Sequence, residues 1–466
     1  MASAIWFTDR SRYETGTGKC AMRRYLGTHA GPTGYGWTHK SESLPLATGT
    51  AFHIALGALT TLLKNYNRLP TVDEVRDVCH KVRTDYEALL SRKGFRGGMF
   101  TGPIIEETIK EQSSLVEGLV WAITRNFLPW LHTHYSILEV EQERLHFLTC
   151  SCGAGPLPQA DHDARGCTGI ALMIRTDILA RHRVGSHLAY FEGKTTGWES
   201  DAWAEQWETK PQLALGTLDL AKIYGSEVAE LFIVGANKGS RKKDKQDDGT
   251  PLEGMRRQQS SLAYGYCRPG NPPLAKDDWL PSYEWVDAAG ETKRASRAHK
   301  KRGIWHLAES DWGTWRAYAS GEPLAPEEFW ARTLPPAVLD KVVFVLGPLN
   351  RQDAQLQSLT RGLLSEEQRW QQITWGLYET NVAGHLWASD EYQNTLDRTI
   401  PRSWNCRPFG KEYQCEFVPL CFKHSGWQDP ASMGFVPRRP HHQPELDQAI
   451  SRGLLISDSQ IVEEEE

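Results

Sequence analysis

Two charged residues stand in the middle of an apolar stretch of the sequence, where a buried strand would hold charges at a high cost. The stretch SHLAYFEGKTTGW, residues 186–198, has the pattern of a strand and contains Glu192 and Lys194. Side chains two positions apart on a strand point to the same face. Burying a carboxylate and an ammonium group costs free energy unless other groups offset the lost hydration. We therefore expect Glu192 and Lys194 to face a charged partner.

A third charged residue, Asp177, follows the apolar segment that precedes this strand, in IALMIRTD. The spacing to Glu192 suits a hairpin that brings the two carboxylates side by side. Neighbouring carboxylates repel unless a cation lies between them, and Mg²⁺ or Mn²⁺ prefers such oxygen ligands. Lys194 would then face an attacking water or a phosphate. The alternative is a surface ion pair between Glu192 and Lys194, with Asp177 at the end of a strand.

Two more polar residues lie in segments that the sequence predicts to be helices. TGTAFHIALGALTTLLKNY has apolar residues at helical spacing and carries Gly49 and His53. WETKPQLAL carries Gln212, and Pro211 is a candidate interruption of that helix. Taken alone, His53 would be interpreted as a hydrogen-bonded histidine of the core.

Taken together, these residues resemble the PD-(D/E)XK nuclease superfamily. Asp177 followed by Glu-x-Lys at 192–194, with G-x-x-x-H upstream and a glutamine helix downstream, is most similar to its RecB-like branch. That branch includes AddB and the CRISPR-associated iron–sulfur exonucleases. The resemblance implies an α/β fold with a restriction-endonuclease-like core, in which helices flank a mixed central sheet. It also implies a metal-dependent deoxyribonuclease, in particular an exonuclease.

The resemblance assigns roles to individual residues. His53, Asp177 and Glu192 would bind Mg²⁺ or Mn²⁺, together with the carbonyl group of Gly193. Lys194 would position the nucleophile, and Gln212 would orient Lys194 or a DNA phosphate. Many relatives have tyrosine four residues after this glutamine, where this sequence has Gly216, and Tyr224 lies too far along to replace it.

Four of the nine cysteines form a pattern that suits ligation. Cys406, Cys415 and Cys421 have the spacing C-x8-C-x5-C, and Cys20 lies far upstream. Thiolates bind iron–sulfur clusters or zinc. The resemblance implies a [4Fe–4S] cluster that clasps the two ends of the nuclease, although relatives often have C-x2-C-x5-C. Zinc stays open as an alternative, and so do three unrelated buried thiols.

A second group of metal-ligand types lies between two predicted strands, in the Gly/Pro-rich segment TCSCGAGPLPQADHDARGC. Cys150, Cys152, His162 and Cys167 have the spacing C-x-C-x9-H-x4-C. A zinc ion held by these four side chains would order a loop that has no apolar core of its own. The alternative is a loop with ordinary cysteines.

The length of 466 residues predicts two domains or one core with large insertions. By motif content, the chain divides into a helical region at 1–135, a nuclease core at 136–237 that includes the Cys/His loop 150–167, an accessory region at 238–399, a cysteine cluster at 400–430 and a tail at 431–466. The N-terminus lacks the pattern of a signal peptide, and no run of eighteen apolar residues occurs. We therefore expect a cytoplasmic protein that does not contact a membrane.

DNA is the expected partner, as single strands or duplex ends. Because the formal net charge is −5, contacts with phosphates require a local basic patch such as KRASRAHKKR at 293–302. The RKK at 241–243 lies among acidic residues and is interpreted equally well as a solvated loop. No phosphate-binding P-loop occurs, so a helicase or recombination protein would be a separate partner. Free-standing relatives are common in phages and prophages, where they serve recombination, repair or DNA processing.

Two other classes of function remain open from the sequence. The chain could be a non-catalytic DNA-binding or assembly module with a structural iron–sulfur or zinc site. It could also be a zinc-stabilised structural protein in which the Asp and Glu-x-Lys pattern is a coincidence.

Overall fold

The fold is described from a computed structural model of the 466-residue chain. The described residues are 5–18, 20–40, 42–93, 95–97, 100–102, 106–151, 169–197, 201–218, 220–245, 251–259, 284–286, 292–294, 304–305, 315–317, 323–325, 327, 330–331, 334, 336–349, 353–380, 387–402 and 415–455.

Strands and helices are interspersed along the whole chain. The strands are β1 (Trp6–Asp9), β2 (Trp37–His39), β3 (Glu42–Ser43), β4 (Phe95–Gly97), β5 (Phe100–Gly102), β6 (Tyr135–Cys150), β7 (Gly169–His182), β8 (Leu188–Thr196), β9 (Val228–Asn237), β10 (Ser240–Lys245), β11 (Pro251–Gln259), β12 (Glu284–Val286), β13 (Thr292–Arg294), β14 (Ile304–Trp305), β15 (Trp315–Ala317), β16 (Pro323–Leu324), β17 (Val343–Leu346) and β18 (Phe435–Pro437). The helices are α1 (Arg10–Gly18), α2 (Ala21–Thr28), α3 (Leu44–Tyr66), α4 (Val72–Lys93), α5 (Glu106–Ala122), α6 (Leu128–His134), α7 (Asp201–Thr209), α8 (Pro211–Gly216), α9 (Leu220–Tyr224), α10 (Pro336–Val342), α11 (Asp353–Thr380), α12 (Asp390–Thr399), α13 (Val418–Cys421) and α14 (Gln443–Ser451), and a π-helical turn at Ile123–Phe127 joins α5 to α6.

A six-stranded mixed sheet forms the centre of the fold. Strand β7 pairs antiparallel with β6 along almost its whole length, so that β6 occupies one edge of β7. The other edge is shared: β1 pairs parallel with Ile170–Met173, and β8 pairs antiparallel with Ile178–Arg181. Strand β9 continues the sheet parallel to β8, and β17 closes it antiparallel to β9. The expected α/β architecture, a mixed central sheet flanked by helices, is confirmed.

Helix α3 packs its apolar side against the sheet and builds the largest part of the core. It begins at Leu44 with a proline in its first turn, and it ends at Asn67, whose left-handed φ of 48° is common for asparagine at this position. Phe52, Leu56 and Leu59 are almost fully buried. By length and composition alone, α3 is the one described helix that could span a membrane. In this fold most of its apolar residues lie in the core, whereas Leu46 and Ile54 are exposed.

Segments near the two chain ends pack against each other. Met22 and Tyr25 of α2 share an apolar cluster with Trp370 of α11 and Tyr392 of α12. The guanidinium group of Arg24 lies 2.7 Å from Oε2 of Glu367, and both side chains are completely buried. Strand β18 also pairs with β2, so the segment that we had assigned to a tail contributes a strand and helix α14 to the folded structure.

Asp177 lies in the middle of β7, within the segment that the sequence predicts to be a strand. Two further elements differ from the sequence expectation. The N-terminal region contributes β1 to the central sheet, although it was expected to be helical. The RKK at 241–243 lies in β10, which forms a hairpin with β11 instead of a loop. Strand pairing satisfies the backbone groups whatever the polarity of the side chains, so charge density alone was a poor indicator of a loop.

Candidate active site

A cleft of about 900 Å³ opens between helix α3 and the edge of β7 that β1 and β8 share. Each of the five residues to which the resemblance gave a catalytic or metal-binding side chain lies in its wall. The lining includes His53 from α3, Asp177 from β7, Glu192 and Lys194 from β8, and Gln212 from α8. Four separate elements therefore bring these side chains to one place.

The two carboxylates lie side by side because of the register between β7 and β8. Ile178 is opposite Phe191, and the antiparallel register therefore places Asp177 next to Glu192. The backbone N–H of Gly193 donates to Oδ2 of Asp177 at 2.7 Å. Both carboxylates are buried, with exposed fractions of 6% and 3%. Other groups must therefore offset the desolvation of two adjacent acids.

His53 offsets the charge of Asp177. Its Nδ1 lies 3.3 Å from Oδ2 of Asp177 and 3.9 Å from Oε1 of Glu141. Burial would lower the pKa of His53, but the adjacent carboxylates outweigh burial and raise that pKa to about 9. Burial likewise opposes ionisation of Asp177, yet His53, Lys194 and the Gly193 N–H together lower its pKa to about 2. At neutral pH the two groups form an ion pair.

Glu141 is a site residue that the sequence reasoning missed. Val140 pairs with Ile178 and Gln142 pairs with Thr176, so Glu141 stands opposite Asp177 across the β6–β7 pair. One ligand atom from each of His53, Glu141 and Asp177 lies within 4.8 Å of the other two. The backbone φ of Glu141 is +50°, a left-handed value that costs roughly 1–3 kcal/mol for a residue other than glycine. Such strain is concentrated at functional sites.

Glu192 is held by hydrogen-bond donors. Nζ of Lys194 lies 2.5 Å from Oε1 of Glu192, and Nε2 of Gln212 donates to the same oxygen. The hydroxyl of Tyr190 donates to Oε2. Arg10 places Nη1 3.5 Å from Oε1. The compact group of potential metal ligands around Asp177 is thus His53, Asp177 and Glu141, whereas the resemblance had assigned Glu192 as the third ligand.

Gly216 leaves space for Tyr190. A Cβ atom at residue 216 would lie 2.8 Å from Cζ of Tyr190, so a tyrosine side chain would not fit at this position in α8. Tyr190 is fully buried; burial and the carboxylates of Glu192 and Asp177 raise its pKa well above the usual value, so it remains a donor. Tyr224 donates to Glu139 on β6.

Only part of each predicted cysteine group lies within the described residues. Cys20, Cys415 and Cys421 are partly buried and pack against the same apolar cluster between the chain ends, whereas Cys406 lies outside the described residues. Cys150 ends β6 opposite Gly169, so the two ends of the Cys/His loop are neighbours. The other three members of that loop group, Cys152, His162 and Cys167, lie outside the described residues.

The carboxylates of Glu141 and Asp177 suit Mg²⁺ or Mn²⁺, and the imidazole of His53 would join them as a ligand after losing its proton. The cleft also presents the cationic side chains of Arg10, Arg175 and Lys194. An arrangement of this kind suits an anionic substrate that approaches a divalent cation. A scan of the sequence against protein-family models finds no match, and a search of curated proteins finds none either.

Proposed function

We propose that this protein is a metal-dependent deoxyribonuclease of the PD-(D/E)XK type, similar to the RecB-like branch. One observation carries this proposal: His53, Asp177, Glu192, Lys194 and Gln212, which lie far apart in the sequence, line a single cleft. If the Asp and Glu-x-Lys pattern were a coincidence, its residues would have no reason to meet a histidine from α3 and a glutamine from α8.

The order of the elements supports the same proposal. Helix α3 precedes three antiparallel strands, β6, β7 and β8, which are followed by helix α8 and by β9 parallel to β8. This order agrees with the order of the motifs in the sequence, in which G-x-x-x-H precedes Asp177 and Glu-x-Lys, and the glutamine helix follows them. It places Asp177 and Glu192 on adjacent strands and Gln212 on the helix that follows them.

The residues of the cleft divide the work of phosphodiester hydrolysis. His53, Asp177 and Glu141 would hold Mg²⁺ or Mn²⁺, with Glu192 beside Asp177. When bound, the ion would polarise the phosphate and lower the pKa of a coordinated water. Lys194 lies at the edge of this group with 20% of its side chain exposed, and it can donate to the water or to a phosphate oxygen. Gln212 and Tyr190 fix the orientation of Glu192 through hydrogen bonds.

We also propose that Cys20, Cys415 and Cys421, together with Cys406, hold a [4Fe–4S] cluster. The support is positional: the three described cysteines lie partly buried at one apolar cluster, which joins segments from both ends of the chain. A cluster there would fasten α2 to the segment after residue 415. Protein purified without oxygen should contain iron and sulfide; zinc in their place would support the zinc alternative.

Cleavage of end-labelled DNA tests the nuclease directly. Single-stranded and duplex substrates are incubated with Mg²⁺ or Mn²⁺ and with wild-type protein, Lys194→Ala or Lys64→Ala. Lys64 is an exposed lysine in the last turn of α3 and serves as the matched control. We expect cleavage with wild type and Lys64→Ala and a loss of at least roughly 100-fold in Lys194→Ala.

Two results would count against this function. Equal cleavage by wild type and Lys194→Ala would mean that the activity does not arise from this cleft. If wild-type protein retains its cluster and binds DNA but does not cleave it, the protein is a non-catalytic DNA-binding module and not a nuclease. The ladder of products from active protein would show whether cleavage begins at an end.

A further inference from the structure

A second group of metal-ligand side chains lies in the same cleft, away from the His53 cluster. Asp9 at the end of β1 meets His441 and His442, which directly precede α14. One ligand atom from each residue lies within 4.8 Å of the other two, and all three residues line the cleft. Neither the catalytic residues nor the predicted cysteine groups include them.

The two carboxylate oxygens of Asp9 have different surroundings. Oδ1 accepts from the backbone N–H of Arg12 at 2.9 Å and thereby caps the start of α1. Oδ2 is buried and has no hydrogen-bond partner in the described part of the chain, although Nε of Arg12 lies 3.3 Å away. The residue is only 4% exposed. The Arg12 guanidinium therefore offsets the charge of Oδ2 without forming a hydrogen bond to it, and this oxygen keeps a lone pair that a metal ion could take.

The two histidines are held in a way that suits ligation. His442 is buried, and its Nδ1 contacts Oε1 of Glu143 on β6. A carboxylate at one ring nitrogen orients a histidine and makes the other nitrogen a better metal ligand. Nδ1 of His441 lies 3.3 Å from Nη2 of Arg438. Since arginine only donates, this Nδ1 carries a lone pair, and a metal ion would replace the contact.

The surrounding charges permit a cation at this position. The guanidinium groups of Arg12 and Arg438 lie near the cluster, and Nη2 of Arg12 lies 2.6 Å from Oε2 of Glu445. Against these two guanidinium groups stand three carboxylates, those of Asp9, Glu143 and Glu445.

We propose that Asp9, His441 and His442 bind a divalent transition-metal ion, for which Zn²⁺ is the best fit. Two imidazole groups and one carboxylate are a common ligand set for Zn²⁺, and three protein ligands leave a coordination position open. Because all three residues line the cleft, that position would be accessible to water or to an anionic oxygen of a substrate. The binding of the metal does not depend on the proposed nuclease activity.

This site is separate from the His53 cluster. Asp9 pairs with Met173, which precedes Asp177 by four positions on β7, a distance of roughly 13 Å along the strand. Metal ions that act together on one phosphate lie about 3.5–4 Å apart. The proposed ion is therefore an anchor in the wall of the cleft and fastens the chain end at α14 to β1.

Metal titration of the full-length protein tests the site. Metal-stripped wild type, His441→Ala and Asp177→Asn are titrated with Zn²⁺, and with Co²⁺ as a spectroscopic probe. We expect wild type and Asp177→Asn to share one tight Zn²⁺ site that His441→Ala lacks or binds at least roughly 10-fold more weakly. Zinc at cysteine sites would be present in all three proteins. The difference between wild type and His441→Ala therefore isolates this site. The Co²⁺ difference spectrum should lack thiolate charge-transfer bands.

The proposal fails if wild type and His441→Ala bind the same number of Zn²⁺ ions with equal affinity. His441 is exposed, so its replacement should leave the melting temperature of the metal-stripped protein unchanged. Asp9→Asn provides a second variant that retains the acceptor for the Arg12 N–H. It should lose the same Zn²⁺ site, and full retention of that site would equally overturn the assignment.

Discussion

Nδ1 of His53 lies 3.3 Å from Oδ2 of Asp177, and this contact joins the middle of helix α3 to the middle of strand β7. The same carboxylate oxygen accepts from the N–H of Gly193 on β8. Asp177 thus connects three elements that must be in register before the cleft has its shape. A residue with this many contacts is the most informative one to change.

Asp177→Asn should abolish metal-dependent cleavage while leaving the fold largely intact. Asparagine can still accept from the Gly193 N–H, but it lacks the charge that holds a divalent cation. We expect the affinity for Mn²⁺ and the rate of cleavage to fall by at least roughly 100-fold. Calorimetric titration with Mn²⁺ and single-turnover cleavage measure the two effects. Unchanged Mn²⁺ affinity would remove Asp177 from the metal site.

Glu141→Gln tests the ligand that the sequence reasoning missed. Glutamine preserves the size of the side chain and removes its charge, so Mn²⁺ affinity should fall roughly 10–100-fold. Glu139→Gln is the matched control, because Glu139 lies on the same strand and contacts Arg144 and Tyr224 instead of the His53 cluster. If Glu141→Gln binds Mn²⁺ with wild-type affinity, Glu141 is not a ligand, and Glu192 is the third ligand as the resemblance implies.

Gly193→Ala should destabilise the protein by about 1–3 kcal/mol, because helix α3 lies directly against this position. An added Cβ would lie 3.0 Å from Cδ2 of Leu56 and 3.3 Å from Cε1 of His53. Gly49→Ala, on α3, is the control, since its Cβ would meet Thr195 Oγ1 at an ordinary 3.5 Å. Urea denaturation measures both; equal stability of the two variants would mean that α3 can move away from β8 without cost.

His29 should make stability depend on pH. It stacks between Trp6 and Trp370, and burial, helped by Arg24, Arg12 and Arg438, lowers its pKa well below 6.5.

Below about pH 6.5, His29 binds a proton in the unfolded chain but not in the folded chain. Above pH 6.5, His29 is unprotonated in both states and does not make the free energy of unfolding depend on pH. Below pH 6.5 it destabilises the fold, by up to about 1.4 kcal/mol per pH unit. His29→Phe keeps an aromatic ring between the tryptophans and should flatten the decline between pH 6.5 and 5.

Urea denaturation at several pH values compares the slopes of the two proteins. The exposed His80 provides a control, and His80→Gln should keep the wild-type slope. Identical slopes for wild type and His29→Phe would contradict a neutral buried His29.

The sequence predicted the site residues that lie within long apolar strands or helices. Glu192 and Lys194 stood out because they interrupt an apolar strand, and His53 because it accompanies a long apolar helix. Glu141 had a weaker signal, the alternate glutamates of EVEQER, and its role depends on the register between β6 and β7. That register is a tertiary property, which a single strand pattern does not contain.

The N-terminal strand was missed for a different reason. WFTD is only four residues long, too short for alternation to identify a strand, and its pairing with β7 depends on the edge that β8 leaves vacant. Asp9 and His442 show the same limit, since no local pattern connects residues from opposite regions of the chain. The pairing of β18 with β2 and the ion pair between Arg12 and Glu445 join the two regions.

The sharing of one β7 edge between β1 and β8 has a consequence for the timing of synthesis. Asp9 and Arg10 are made more than four hundred residues before His441 and His442, which lie in the same cleft wall. At about 5–20 residues per second, the wall is completed roughly 20–90 s after it is begun. During that interval the nascent chain carries an incomplete cleft.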